Sequence, residues 1–307
     1  MNAITIKNLE KSYKSFKALD NINLEIKKGE FFGLLGQNGA GKTTTIGILT
    51  GLTNKSSGEV KLFDFDVEQD YKLAREQIGL VPQEFNFDIF EKVEKILQFN
   101  AGYYGIKKEQ ANKRVEHLLK QLGLYEKRNQ KALTLSGGMK RKLMIARALI
   151  HKPKILILDE PTAGVDVETR QQMWKFLKKI NKEGTTILLT THYLEEAQEL
   201  CETIAIINQG KIIKIDKKQN LLNILDSQQV EISTKTNLTT IPKELKKYNP
   251  TINNNNLCFN VKKENWQTIL KDINNSNLNI QDISINKSKL EDIFIYLTSQ
   301  SNNNHKK

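Results

Sequence analysis

The run Gly36-Gln37-Asn38-Gly39-Ala40-Gly41-Lys42-Thr43 constrains the fold more than any other feature of the chain. It fits the pattern G-x-x-x-x-G-K-[ST], in which glycines let the backbone curl until its N–H groups converge on phosphate oxygens. The apolar run Phe31-Phe32-Gly33-Leu34-Leu35 precedes it, and a helix is expected from Thr43 to Thr50. The loop therefore joins a strand to a helix whose positive dipole end faces the same phosphate. Lys42 is expected to reach the β- and γ-phosphates and the Thr43 hydroxyl to ligate Mg²⁺, with Gly36, Asn38, Gly39, Ala40, Gly41 and Thr44 completing the cradle. With glycine at about 7% of residues, a chance match in a chain this long has odds of about one in a hundred. The strand–loop–helix setting lowers those odds further.

Other short apolar runs, Ile155-Leu156-Ile157-Leu158, Ile187-Leu188-Leu189-Thr190 and Ile204-Ala205-Ile206-Ile207, alternate with helical stretches such as Val167–Glu183. Continuous runs of this length fit strands buried on both faces of a parallel sheet, and the alternation predicts an α/β layer fold. Residues from about 84 to 150 read differently, as the helices Glu91–Tyr104, Lys108–Leu122 and Gly137–Ile150. This is a helical insertion within the α/β domain, and its stretch from Lys107 to Lys142 is rich in lysine and arginine. After residue 220 asparagine becomes dense, with a turn expected at Asn253–Asn256. Strand-like runs Gln229–Ser233 and Leu257–Val261 then accompany helix-like runs Trp266–Ile273 and Lys289–Ser299. Residues 221–300 are expected to form a small α+β domain. Ser288 and Glu291 fit a capping box for its last helix, and 301–307 are expected to be a polar, unordered tail.

The strand Ile155–Leu158 ends in Asp159-Glu160. Two acids at a strand end are ordinarily surface groups. Beside a phosphate-binding loop they point instead to a Mg²⁺ ligand, Asp159, and a general base for an attacking water, Glu160. Between these motifs lies Leu135-Ser136-Gly137-Gly138-Met139-Lys140-Arg141. Ser136 can N-cap the helix that follows, and with the glycines it offers a hydroxyl and free N–H groups to a phosphate.

That segment resembles the L-S-G-G-Q signature of ABC ATPases, with Met139 in place of the usual glutamine. The resemblance spans residues 4–216 and extends to further motifs in family order. Gln83 resembles the Q-loop glutamine that contacts Mg²⁺ and water. Ala163-Gly164-Val165-Asp166 resembles the D-loop, His192 the switch histidine, and Tyr13 the aromatic residue that stacks on adenine. The resemblance implies an ABC cassette that binds and hydrolyses ATP with Mg²⁺. Catalysis would use Glu160, His192, Gln83 and Lys42, with Mg²⁺ held by Thr43, Gln83 and Asp159. It also implies that two copies pair head to tail, so that Ser136, Gly137 and Gly138 of one act on nucleotide held by Lys42 of the other. Val81-Pro82-Gln83-Glu84, Thr191-His192-Tyr193-Leu194-Glu195-Glu196-Ala197 and Lys289-Leu290-Glu291-Asp292-Ile293-Phe294 further resemble the ATPase subunits of ABC-2-type exporters. This implies a polytopic membrane permease as partner, contacted by residues 84–105.

The 307 residues carry 27% charged and 38% hydrophobic residues and a net charge of +12, as expected of a globular protein with a basic surface. No apolar stretch approaches the length needed to span a bilayer and Met1–Lys14 does not read as a signal peptide, so a cytoplasmic, membrane-peripheral protein is expected. Cys201 and Cys258 are expected to be reduced and partly buried. The basic helical stretch is either a solvated face or a surface toward anionic lipid. Two other roles stay open at this point: an ABC ATPase acting on ribosomes or DNA, and an importer ATPase. A single cassette and the absence of a long heptad run weigh against the first, and no nucleic-acid partner is expected.

Overall fold

The computed structural model describes residues 1–304 apart from 225–226, 236–237, 239, 254–255, 263–265, 277 and 288. The chain divides into two compact units, the first Met1–Asp216 and the second starting at Lys217, four residues before the boundary expected from composition.

The first unit runs β1 (Asn2–Tyr13), β2 (Phe16–Lys27), β3 (Phe31–Leu35), α1 (Lys42–Leu49), β4 (Ser57–Leu62), β5 (Phe65–Asp66), α2 (Tyr71–Glu76) and β6 (Ile78–Val81). It continues with α3 (Val93–Tyr103), α4 (Lys108–Gln121), α5 (Gly137–Leu149), β7 (Ile155–Asp159), α6 (Val167–Lys182), β8 (Thr186–Thr191), α7 (Leu194–Leu200), β9 (Thr203–Asn208) and β10 (Lys211–Lys217). Six strands form one sheet in the order β10-β9-β3-β8-β7-β6, with β9, β3, β8, β7 and β6 parallel. Every residue of β3, β7 and β8 is buried, which is why these runs are apolar without alternation. A second, antiparallel sheet has the order β2-β1-β4-β5. There β2 alternates buried and exposed positions, as a strand covered on one face must. A continuous core lies between the sheets, with Ile4, Ile6, Leu24 and Val60 of the antiparallel sheet joined to Phe32, Leu34 and Ile157 of the parallel one and to Ile46 and Leu49 of α1. The helices α3, α4 and α5 form the expected insertion, with Leu97, Val115, Leu119, Leu143 and Met144 buried. The whole is an α/β P-loop cassette.

The second unit contains α8 (Lys218–Leu222), β11 (Ser227–Thr234), β12 (Thr251–Asn253), β13 (Asn256–Lys262), α9 (Trp266–Asn275), β14 (Ile280–Lys287) and α10 (Leu290–Asn304). Its antiparallel sheet has the order β12-β13-β11-β14. Val230, Ile232, Leu257, Phe259 and Val261 pack with Ile269 and Ile273 of α9 in a separate core. The last helix reaches Asn304, so the unordered tail expected from Ser301 is corrected over 301–304. Extending an existing helix fixes one residue per added bond, so poor helix formers can still follow a formed helix. Residues 305–307, Ser288 of the expected capping box, and Asn254-Asn255 of the expected turn lie outside the described residues. Cys201 and Cys258 form no disulfide and are both buried outright rather than partly. Among the described residues no helix is long and apolar enough to cross a membrane.

Candidate functional site

The loop between β3 and α1 is set by close approach. A Cβ at Gly36 would stand 2.5 Å from the Ile207 carbonyl oxygen of β9, and Gly41 takes φ +112° with Leu19 of β2 against it. Neither position admits a side chain without displacing a neighbouring strand. The rim of the loop, Gln37, Asn38, Gly39 and Thr43, is exposed, Thr44 is half-buried, and Gly36, Ala40, Gly41 and Lys42 are buried. The Lys42 ammonium donates to the carbonyls of Gly36 (2.7 Å) and Gln37 (3.1 Å). Burial holds it below its ordinary value, partly offset by the carboxylates of Glu160 and Asp159.

Asp159 ends β7 and is buried. Its Oδ1 accepts the Thr190 hydroxyl at 2.5 Å from β8. Burial pushes this carboxyl above the usual range, the Thr190 hydrogen bond opposes that, and nearby Glu160 adds to it. Glu160 leaves the strand at φ +49°, a left-handed backbone that a non-glycine residue adopts at a cost of about 1–3 kcal/mol. Its N–H donates to the Thr190 carbonyl at 2.9 Å, which holds this turn against β8. The turn carries both carboxylate oxygens to partners: Oε1 lies 2.8 Å from His192 Nδ1, and Oε2 accepts from Gln83 Nε2 at 3.4 Å. The structure thus brings Gln83, Asp159, Glu160, His192 and Lys42 to one place, from the ends of four adjacent parallel strands and the segments that follow them.

The signature stands apart from this cluster. Ser136 caps α5, its hydroxyl accepting from the Met139 N–H at 3.2 Å. Ser136 and Gly137 are exposed, while Gly138 is buried beside Thr169 of α6. Among the described residues no hydrogen bond joins Ser136, Gly137 or Gly138 to the β3–α1 loop, Asp159, Glu160 or His192. Tyr13 ends the first strand of the β1–β2 hairpin and is 46% exposed, with Lys11 over its ring. Farther along the same hairpin Ala18 and Leu19 contact Gly41.

Three participants have no role that a reading of the motifs assigns. Thr190 belongs to an apolar run, and a hydroxyl in a strand buried on both faces is the signal that marks it. Glu196 of α7 is fully buried and accepts from the Thr162 hydroxyl (2.9 Å) and Trp174 Nε1 (3.1 Å). It ties the helix after His192 to the segment after Glu160 and to α6. Arg141, five residues past Ser136, is also buried and donates to the Pro82 carbonyl. Asp166, at the expected D-loop, caps α6 by accepting from the Thr169 N–H.

The arrangement sets a glycine-rich loop and a buried ammonium beside buried carboxylate oxygens, one carboxylate being held between His192 and Gln83. Among the described residues there is no cluster of three or more His, Cys, Asp or Glu suited to a metal cage. Mg²⁺ carried on a nucleotide needs only one or two protein oxygens, and Thr43 and Asp159 supply oxygens of that kind.

The ABC transporter family model matches residues 19–163. The chain is 39% identical over 223 residues to the linearmycin resistance ATP-binding protein LnrL of Bacillus subtilis, covering 73% of this chain and 72% of that one. It is 41% identical over 220 residues to the Nod factor export ATP-binding protein I of Cupriavidus metallidurans, covering 72% and 73%. Among solved structures, the dimeric ATP-binding cassette MJ0796 in a post-hydrolysis state with ADP and Pi aligns at a TM-score of 0.64 and 31% identity, over 70% of this chain and 98% of that one. On this extent of identity the chain belongs to the ATP-binding subunits of ABC transporters and is an ATPase.

Proposed function

We propose that this subunit powers export through a separate membrane permease, hydrolysing Mg-ATP held between two copies of itself. The observation that carries the catalytic part is the Glu160 carboxylate, engaged through one oxygen by His192 and through the other by Gln83, next to Asp159 and Lys42. In this reading the N–H groups from Gly36 to Thr44, with Lys42, bind the phosphates, and Tyr13 stacks on the base. Thr43, Asp159 and Gln83 hold Mg²⁺, which when bound neutralises charge developing on the phosphoryl oxygens. Glu160 takes the proton of the attacking water and His192 orients Glu160.

The head-to-tail pair is supported by the exposure of Ser136 and Gly137 away from the cluster they are meant to complete, and by the dimeric state of the MJ0796 cassette. Export is supported by relatives named for Nod factor export and linearmycin resistance. The permease reading is supported by a groove of about 900 Å³ lined by Leu52, Tyr71 and Tyr103, the last 85% exposed. Asn86, Asn100, Tyr103 and Tyr104 of the expected contact region line it too. Docking there would hold the protein at the inner face of the membrane.

The test is capture of a tagged Glu160→Gln variant with Mg-ATP from gently solubilised host membranes. A polytopic membrane protein together with dimeric ATPase supports the reading. A monomer at saturating Mg-ATP, or ribosomes in place of a membrane subunit, overturns it.

A further inference from the structure

We propose that Arg141 is a positioning residue that holds Gln83 in place from the signature helix, so that displacement of Ser136–Gly138 is felt at Gln83. The inference rests on the role given to Gln83 above. Arg141 stands five residues after the Ser136 cap, about 8 Å along a rigid helix. Its Nη1 donates to the carbonyl of Pro82 at 3.2 Å, and its guanidinium lies 4.9 Å from the ring centroid of Phe85. These contacts fall on either side of Gln83. Farther along the same helix Arg147 donates to the carbonyl (2.7 Å) and side-chain oxygen (2.8 Å) of Asn86. The helix that begins at the signature therefore grips the segment 82–86 at three points, and Gln83 lies inside the grip.

The way Arg141 is held argues for more than packing. It is only 7% exposed, and its Nε is buried without a hydrogen-bond partner among the described residues. Burying a guanidinium for one carbonyl bond and one ring face is a poor local exchange. The carboxylates of Glu160 and Asp159 offset it only in part, so the cation sits in the field of the groups that Gln83 serves. A movement of the signature helix therefore displaces a charge whose field reaches Glu160 as well as the backbone next to Gln83.

Steady-state ATPase kinetics of the full chain test this in two backgrounds. Arg141→Met is expected to lower kcat about tenfold with KM for ATP little changed, and to add nothing once Gln83→Ala is present. Arg141→Lys, which keeps the charge and a donor, is expected to recover part of the loss. Phe85 is exposed enough for Phe85→Leu to fold normally, and that variant should lower kcat in the same background-dependent way. The proposal is overturned if Arg141→Met keeps kcat within about twofold of wild type, or if its effect is equally large with and without Gln83. If Gln83→Ala itself turns over normally, the role given to Gln83 fails first and this inference with it. Loss in Gln83→Ala with a fully additive Arg141→Met overturns this inference alone.

Discussion

The cluster around Lys42, Asp159 and Glu160 and the segment at Ser136–Gly138 are built in opposite ways. Around Lys42, Asp159 and Glu160 the side chains are buried and each has its partners within the chain. At Ser136 and Gly137 the groups are exposed and serve only their own helix. The cluster proposed to receive nucleotide and carry out bond cleavage is held in place by hydrogen bonds of its own chain. In the proposed head-to-tail pair, the segment that would engage a nucleotide on another copy has to stay free to meet it. On that reading one sequence carries one finished half-site and one exposed half for a second molecule to complete.

Mixing two inactive variants tests that contrast most severely. Lys42→Ala and Ser136→Arg should each lower ATPase activity on the order of 10²-fold or more, and a mixture of the two should recover part of it. Recovery requires that one copy supply the intact loop and the other the intact signature, and a mixture no more active than its components breaks the comparison. On the buried half, Thr190→Val removes the hydroxyl that orients Asp159. It should cost on the order of tenfold in kcat/KM and raise the Mg²⁺ concentration needed for half-maximal rate, because outer-shell partners of metal ligands have effects of that size.

Glu196 sharpens the comparison through stability. Glu196→Ala leaves the Thr162 hydroxyl and the Trp174 N–H without their acceptor and should destabilise the fold by about 3 kcal/mol in denaturant titrations. Burial raises its carboxyl above the ordinary 4.5, with the hydrogen bonds from Trp174 and Thr162 opposing that. The folded chain then binds this proton more tightly than the unfolded chain does. The linked stability is full below the ordinary carboxylate value and is lost as pH rises through the raised one. The Tm of Glu196→Gln should therefore gain on that of wild type across that rise, and parallel Tm profiles would contradict it. The smallest effect is expected at the exposed Tyr13, where Tyr13→Ala should raise KM for ATP by about two- to tenfold with kcat unchanged, as loss of one aromatic stack predicts.

What the sequence made legible follows from how local each signal is. Fully buried strands announce themselves as unbroken apolar runs, and β3, β7, β8 and β9 fall where those runs are. The helices of the insertion begin and end within two residues of their expected limits, because amphipathic periodicity is a short-range property. The pairing of the antiparallel sheet was not legible: Met1–Lys14 alternates apolar and polar residues, but β1 pairs with β4 across some fifty residues of chain and through bulged registers. Within the site, the residues expected at the strand ends do converge. Their number at one carboxylate depends on the left-handed turn of Glu160, which a non-glycine residue does not advertise. Arg141 and Glu196 were hidden for a related reason. Charged residues on helices ordinarily face solvent, and only tertiary packing turns these two inward.

The position of β3 bears on how the chain is made. The strand that presents the phosphate loop is the third in sequence, yet its two neighbours in the sheet are β8 and β9, pairing Phe31 with Ile187 and Leu35 with Ile206. During synthesis the loop sequence leaves the ribosome early, while both strands that flank it arrive more than 150 residues later. At about 5–20 residues per second, that is a wait on the order of ten seconds or more with an apolar strand unpaired. A nascent or truncated chain ending before β8 carries every residue of the phosphate loop and still lacks the walls that shape it. Nucleotide can then reward only a chain whose cassette is nearly complete, which ties ligand stabilisation to the last step of building the domain.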